Sequence, residues 1–412
     1  MKIWIRFLIG GVAGVFLGLF LPLSGGDTTD LFRYITGLVV NIGTYSVFAM
    51  VFFGLASGVR ELKDEHNVLA TVGKTIVYIL IATAALTFLG ALSVIILSPE
   101  RVPIVVQEAN RMQLPAVRSL LLDVFPGNVL QVFQLKNSLL PILVLSLIIG
   151  VTLNSTALYT SPVTDLFDSL SRIFYRINSV ISDIVGIGFI ALGAYSILEL
   201  RQMGDLEMFR QLFVTVVFTA AVVILIVVPL VVYFLAGKTK PLGFLYTLIA
   251  PALAALFSRD SYFALGVLSR IGREELGIPR KAGSVIFPIN AIFCRSGTAL
   301  VTAIAFILVL KSYSSLDVSI GQFLWVLVFT FLASFMLGSV PGLGVVILLS
   351  LLSKMYGKGL EDGYLILQAA GPILVSVGAL LDVVISGTIG YLIAGTRTGT
   401  ASLDGGAQRM RR

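Results

Sequence analysis

A chain of 412 residues that is 57% hydrophobic and 12% charged, with a mean hydropathy of +0.99, has too little polar surface for a water-soluble domain. Such domains carry about 45–50% apolar and about 25% charged residues; this composition is that of an all-α integral membrane protein. The net charge of +7 does not point to nucleic acid, because the basic residues form no stripe interleaved with aromatics and instead fall between apolar runs, where loop orientation accounts for them.

The single Cys294 excludes an internal disulfide, and the single His66 lies in the charged stretch ELKDEHN. Neither supports a structural zinc site, which needs about four ligands, nor a nucleophile–histidine pair. The chain also shows no pair of membrane-embedded aspartates that would suit an intramembrane protease. An enzyme is therefore not expected, and no cofactor is implied.

Apolar runs long enough to cross about 30 Å of hydrocarbon occur at roughly 4–23, 33–59, 74–98, 128–152, 179–199, 210–236, 283–310 and 363–395. The first, MKIWIRFLIGGVAGVFLGLFL, has a charged start but no small-x-small cleavage site after it, and it reads as an uncleaved first helix. Two further stretches behave differently. In 241–276 the arm PLGFLYTLIAPALAALF meets SRDS and then only a short apolar segment; in 319–354 IGQFLWVLVFTFLASFML meets GSVPGLG and then VVILLSLL. Second arms this short suit re-entrant hairpins, whose irregular tips must be buried in protein or face water. The competing reading is a pair of long helices. Eight spans plus two hairpins is the expected architecture.

Loop charge orients it. Arg60, Lys63 and Lys74, then Arg172 and Arg176, then Lys238 and Lys240, then Arg270, Arg273, Arg280 and Lys281 fall on one side together with both termini, and the tail adds Arg397, Arg409, Arg411 and Arg412. The positive-inside rule makes that side cytoplasmic and brings the hairpins in from opposite faces. Arg101, Arg111 and Arg118 in the 99–118 loop run against it. Opposed hairpins, each followed by a span broken near its middle, suggest an inverted repeat with a solute site at the bilayer midplane.

The stretch IFCRSGTAL, 292–300, places Arg295 and a Ser–Gly pair inside the seventh apolar run. A charge there is costly and marks either a functional group or a structural partner of a nearby carboxylate. In the tip GSVPGLG, Gly342 and Gly344 permit irregular backbone and Pro341 fixes a bend.

Taken in order, FPGNVLQVF…LPILVLSLIIGVTL, DIVGIGFIALGAY, SRDSYFALGV, GIPRKAGSVIFPINAIF, CRSGTAL and SVPGLG resemble the dicarboxylate/amino acid:cation symporter family, the glutamate-transporter homologues, over essentially the whole chain. The resemblance implies a homotrimer in the cell (inner) membrane and an elevator-type glutamate-transporter-like fold. It also implies a scaffold from residues 1–73 and 99–206, a transport domain from 74–98 and 207–398, and a cytoplasmic tail at 399–412. The expected function is secondary transport of a small polar organic solute, an amino acid or a carboxylate. An anion channel or a non-transporting relative is the alternative.

Motif by motif, the resemblance places the solute site at Arg259, Asp260, Ser261, Arg295, Thr298, Val340, Gly342, Ser376, Ala379, Asp382 and Val383. The cation position falls on Cys294, Arg295, Ser296, Asp382 and Gly387. CRSGTAL stands where the family has Asn-Met-Asp-Gly-Thr-Ala-Leu, so Ser296 takes the place of a cation-binding Asp and Cys294 that of an Asn. Gly387 falls at a second cation-binding Asp, Val383 at an Asn, Ala379 at the Arg that reads a substrate carboxylate, and Ser376 at an Asp that takes an amino group. Arg259 matches a first-tip arginine able to serve the substrate; the other reading makes it an interfacial, snorkelling residue.

Hard cations need oxygen ligands, preferably charged ones, and these carboxylates are missing. Sodium coupling is therefore doubtful, and proton-linked or uncoupled exchange more plausible. Arg295 would replace the cation with a fixed charge, with Asp382 or Asp260 as counter-ion. Such a buried pair predicts a loss of about 3–5 kcal/mol when one partner is removed.

Overall fold

The computed structural model describes residues 2–21, 26–103, 124–134, 139–153, 161–202, 206–236, 241–313, 318–339 and 342–395. Val340, Pro341, most of the 99–118 loop, Lys238, Lys240 and the 399–412 tail lie outside them. Among the described residues regular structure is helical throughout.

The helices are α1 Ile3–Phe20, α2 Gly26–Thr44, α3 Val47–Asp64, α4 Val68–Leu97, the single turn α5 Val129–Val132, α6 Leu140–Thr152 and α7 Ser161–Gln202. After them come α8 Arg210–Val222, a π-helical turn Val223–Val227 and α9 Val228–Leu235. Then follow α10 Pro241–Ser258, α11 Ser261–Glu274, α12 Arg280–Phe293, α13 Ser296–Tyr313, α14 Ile320–Ser334, α15 Gly344–Tyr356 and α16 Gly371–Gly395. The π turn directly precedes Pro229, whose missing N–H breaks the regular ladder.

Among the described residues nine helical stretches are long and apolar enough to cross a bilayer, and large apolar side chains such as Phe20, Ile187 and Leu230 stay exposed, as a lipid-facing surface requires. The chain is a multi-pass membrane protein.

Four boundaries differ from the sequence expectation. The run 33–59 is two helices, α2 and α3, separated at Tyr45–Ser46. The run 128–152 holds one turn and then the 13-residue α6, too short to span alone. The run 179–199 is the C-terminal half of the 42-residue α7, whose first half, SPVTDLFDSLSRIFYRIN, is amphipathic and not uniformly apolar. The eighth run is not broken near its middle: a 3₁₀ turn Gly363–Leu367 precedes 25 continuous helical residues in α16.

Packing follows residue size. α1 lies along α7, and α2, α3 and α6 gather on the same side. The α1–α7 crossing rests on glycine: a Cβ on Gly14 would stand 2.2 Å from the Ile190 carbonyl oxygen, and one on Gly193 would stand 2.5 Å from that of Gly11. Small residues let apolar helices approach where no solvent drives them together.

The second group centres on α13, which packs against α4, α14, α15 and α16. Every residue from Ser296 to Leu310 is buried, as a helix apolar on all sides should be. Ion pairs tie the groups together: Arg270 to Asp183, Arg280 to Glu61 and Asp168, and Lys281 to Glu65.

Candidate functional site

Three chain breaks meet where α10 gives way to α11, α12 to α13, and α14 to α15. At the first, Asp260 caps α11: its Oδ1 accepts from the N–H groups of Tyr262 at 2.7 Å and Phe263 at 3.1 Å. At the second, Cys294 and Arg295 interrupt the helix, and Cys294 Sγ lies 3.3 Å from Ser296 Oγ. Asp382 reaches across from α16 to cap the N-terminus of α13. Its Oδ1 accepts from the N–H groups of Gly297 at 2.7 Å and Thr298 at 3.0 Å, and its Oδ2 accepts from the Thr298 hydroxyl at 2.6 Å. The approach depends on Gly297, where a Cβ would sit 2.2 Å from Leu381 Cβ and 2.6 Å from the Gly378 carbonyl oxygen.

Arg295 is 3% exposed. Its Nη1 donates to Ser261 Oγ at 2.5 Å, while Nε and Nη2 have no hydrogen-bond partner. Among the described residues no carboxylate lies within salt-bridge distance of it. Neither expected counter-ion is in direct contact with it: Asp260 and Asp382 are near neighbours, and their oxygens close helix N-termini. The electrostatic reason is that a helix N-terminus carries about half a positive charge and offers unsatisfied N–H groups.

Arg259 is engaged by neighbouring side chains. It adopts a left-handed backbone, φ +57°, at the turn between α10 and α11. Its guanidinium is engaged, by Glu199 of α7 through Nη1 and by Ser376 Oγ at 3.1 Å through Nε. It is neither a snorkelling residue nor free to receive a substrate carboxylate in this arrangement.

At the second tip, Gly342 has φ +82° and lies beside the Arg259 backbone, and Gly344 faces Thr298. Ser261, Cys294, Asp382 and Val383 line one small cavity with Asn290 and Ser386. Asn290 and Ser386 were not anticipated: Asn290 Nδ2 donates to the Ser386 carbonyl at 3.1 Å, and an Asn buried in an apolar helix was the available signal. Ala379 is buried on α16.

The family's cation is poorly served by this donor set. Asp382 has three hydrogen bonds already, and a Cβ on Gly387 would stand 2.6 Å from Leu248 Cδ2, so apolar packing fills that position. Arg295 brings a positive charge. The charged oxygen ligands that a hard cation prefers are not assembled among these residues.

A polytopic, all-helical chain whose broken helices and two hairpin-like tips converge on buried charges has the organisation of a membrane transporter. The chain belongs to the sodium:dicarboxylate symporter family, whose model matches residues 3–396. It is a family of transporters and not of enzymes. The chain is 28% identical over 233 residues to excitatory amino acid transporter 3 of Oryctolagus cuniculus, covering 56% of this chain and 43% of that protein. It is 29% identical to the Mus musculus counterpart with the same coverage, and 26% identical over 230 residues to an excitatory amino acid transporter of Caenorhabditis elegans, covering 56% of this chain and 45% of that protein. The matched stretch spans less than half the length of these curated relatives.

Proposed function

We propose that this protein is a secondary transporter that carries a small amino acid or carboxylate across the cell (inner) membrane by an elevator form of alternating access. Family membership and the names of its relatives support the solute class. The observation that carries the reading is the convergence of the 259–261 and 342–344 segments on Arg295 and Thr298 at the break between α12 and α13. In this scheme residues 1–73 and 99–206 form a trimeric scaffold, 74–98 and 207–398 move, and both termini are cytoplasmic.

Conventional sodium coupling is reduced or lost, leaving proton-linked or uncoupled exchange. The poor fit of Ser296, Gly387 and the helix-capping Asp382 to a hard cation supports this, as does the fixed charge of Arg295, which does not deprotonate.

Counterflow in proteoliposomes tests both parts. A labelled solute should accumulate against unlabelled solute inside, at a rate unchanged when sodium is replaced by choline. An ordinary anion channel would give no counterflow, and a steep rise with sodium would reject the coupling reading.

A further inference from the structure

We propose that Arg295 is the carboxylate receptor of the solute site, that it binds one carboxylate through its Nε–Nη2 edge, and that the solute accordingly carries a single carboxylate. The inference rests on the transporter reading for its setting, but the binding it asserts can be measured separately.

The geometry of the guanidinium carries the argument. Its five N–H donors lie in one plane, and those of Nε and Nη2 run parallel along one edge, spaced to meet the two oxygens of a carboxylate. These are the two nitrogens of Arg295 that have no partner, on a side chain that is 3% exposed. The third nitrogen, Nη1, is fixed by Ser261 Oγ at 2.5 Å, which orients the plane and leaves the Nε–Nη2 edge without a partner. Ser261, the hydrogen-bond partner of Arg295, and Cys294, its chain neighbour, line the small cavity between α11, α12 and α16, so Arg295 borders that cavity without being one of its lining residues. A buried charge with two unpartnered nitrogens is expensive, and a protein retains one where a ligand completes it.

The neighbouring groups argue for one carboxylate and not two. Asp260 and Asp382 place their carboxyl oxygens on the N-termini of α11 and α13, so neither pairs directly with Arg295 and neither offers a donor to a second carboxylate. The other cation at the tips, Arg259, is bound to Glu199 and Ser376. A second carboxylate on the solute would lose its hydration without a matching donor.

The test uses the purified full-length protein in lipid nanodiscs, with affinities from calorimetry and thermal shift. The probes are neutral amino acids, the straight-chain acids from acetate to valerate, succinate, and amino acid amides that lack the carboxylate. At least one single-carboxylate probe should bind more tightly than succinate, and its amide should not bind. The two single-carboxylate classes show whether an ammonium group is also read. Arg295→Lys keeps the charge but not the fork, and it should weaken binding about ten- to a hundredfold, the range for a charged hydrogen bond.

Ser261→Ala, which leaves Arg295 in place but unanchored, supplies a second reading should the lysine variant fail to fold; binding should again weaken. The inference is overturned if succinate binds at least as well as every single-carboxylate probe, if the amides bind equally, if Arg295→Lys binds like the parent, or if no carboxylate binds. Counterflow by a protein that binds none of these acids would leave the transporter reading standing without this one. Binding without counterflow would do the reverse.

Discussion

Asp382 and Thr298 are joined twice, through the Thr298 N–H at 3.0 Å and its hydroxyl at 2.6 Å, so that a residue in the middle of α16 closes the start of α13. This cross-helix cap satisfies the helix N-terminus that the break at Cys294–Arg295 creates.

Removing the cap should be costly. Asp382→Ala loses an N-cap, typically about 0.5–2 kcal/mol, and strands buried donors at about 1–3 kcal/mol each. Thermal unfolding should therefore fall well below the parent. Thr298→Val alone should cost less, and the double variant Asp382→Ala/Thr298→Val should cost clearly less than the sum of its parts, since both remove one interaction. Additive losses would show that the two residues do not act together.

Gly297→Ala tests the close approach on which the cap depends. The new Cβ would meet Leu381 Cβ and the Gly378 carbonyl, neither of them a flexible chain end. A loss of about 1–3 kcal/mol is expected from overpacking, measurable as a lowered melting temperature. The same change at Gly395, where a Cβ meets nothing within 4 Å, is the control and should be nearly silent.

The break itself was legible in the sequence, because Arg295 and the Ser–Gly pair cannot continue a lipid-buried helix unnoticed. So was the break at SRDS, where Asp260 is a natural N-cap. The extent of α7 was not legible from hydropathy: Asp165, Asp168, Arg172 and Arg176 make its first half look like a loop, although the apolar positions between them keep a helical period. Nor could the sequence say which carboxylate serves which group. Asp382 lies 87 residues from Arg295, and whether it meets a guanidinium or a helix N-terminus is decided by how α16 packs on α13. The partner of Arg259 was hidden for the same reason, since Glu199 sits on a helix distant in sequence.

The backbone at Arg259 gives a prediction that separates conformation from charge. With φ +57°, any residue bearing a Cβ is strained there by about 1–2 kcal/mol relative to glycine. Arg259→Ala loses the Glu199 pair and keeps the strain; Arg259→Gly loses the pair and relieves it. The glycine variant should therefore melt at a higher temperature than the alanine variant. In an ordinary helical position the order would be reversed, so an alanine variant that proves the more stable would show that the tip is not left-handed in solution.

Arg295→Met decides how the buried charge is compensated. A direct ion pair with Asp382 or Asp260 would make its removal cost about 3–5 kcal/mol, because the partner would be left charged and alone. The hydrogen bonds of both carboxylates do not involve Arg295; each goes to the N–H groups of a helix N-terminus whose dipole favours negative charge. Arg295 itself contributes one hydrogen bond, to Ser261, and has two nitrogens without a partner. Methionine has comparable reach and no charge to desolvate, and it adapts readily to an irregular site. The ligand-free Arg295→Met protein should therefore be at least as stable as the parent, as when a buried charge is exchanged for an apolar residue of similar volume. Its coupling to Asp382→Asn should be small beside that between Asp382 and Thr298. Comparing melting temperatures of the parent, both single variants and the double variant measures this directly. A drop of several kcal/mol in Arg295→Met alone, recovered in the Asp382→Asn background, would restore the ion pair and reject the capping account of Asp382.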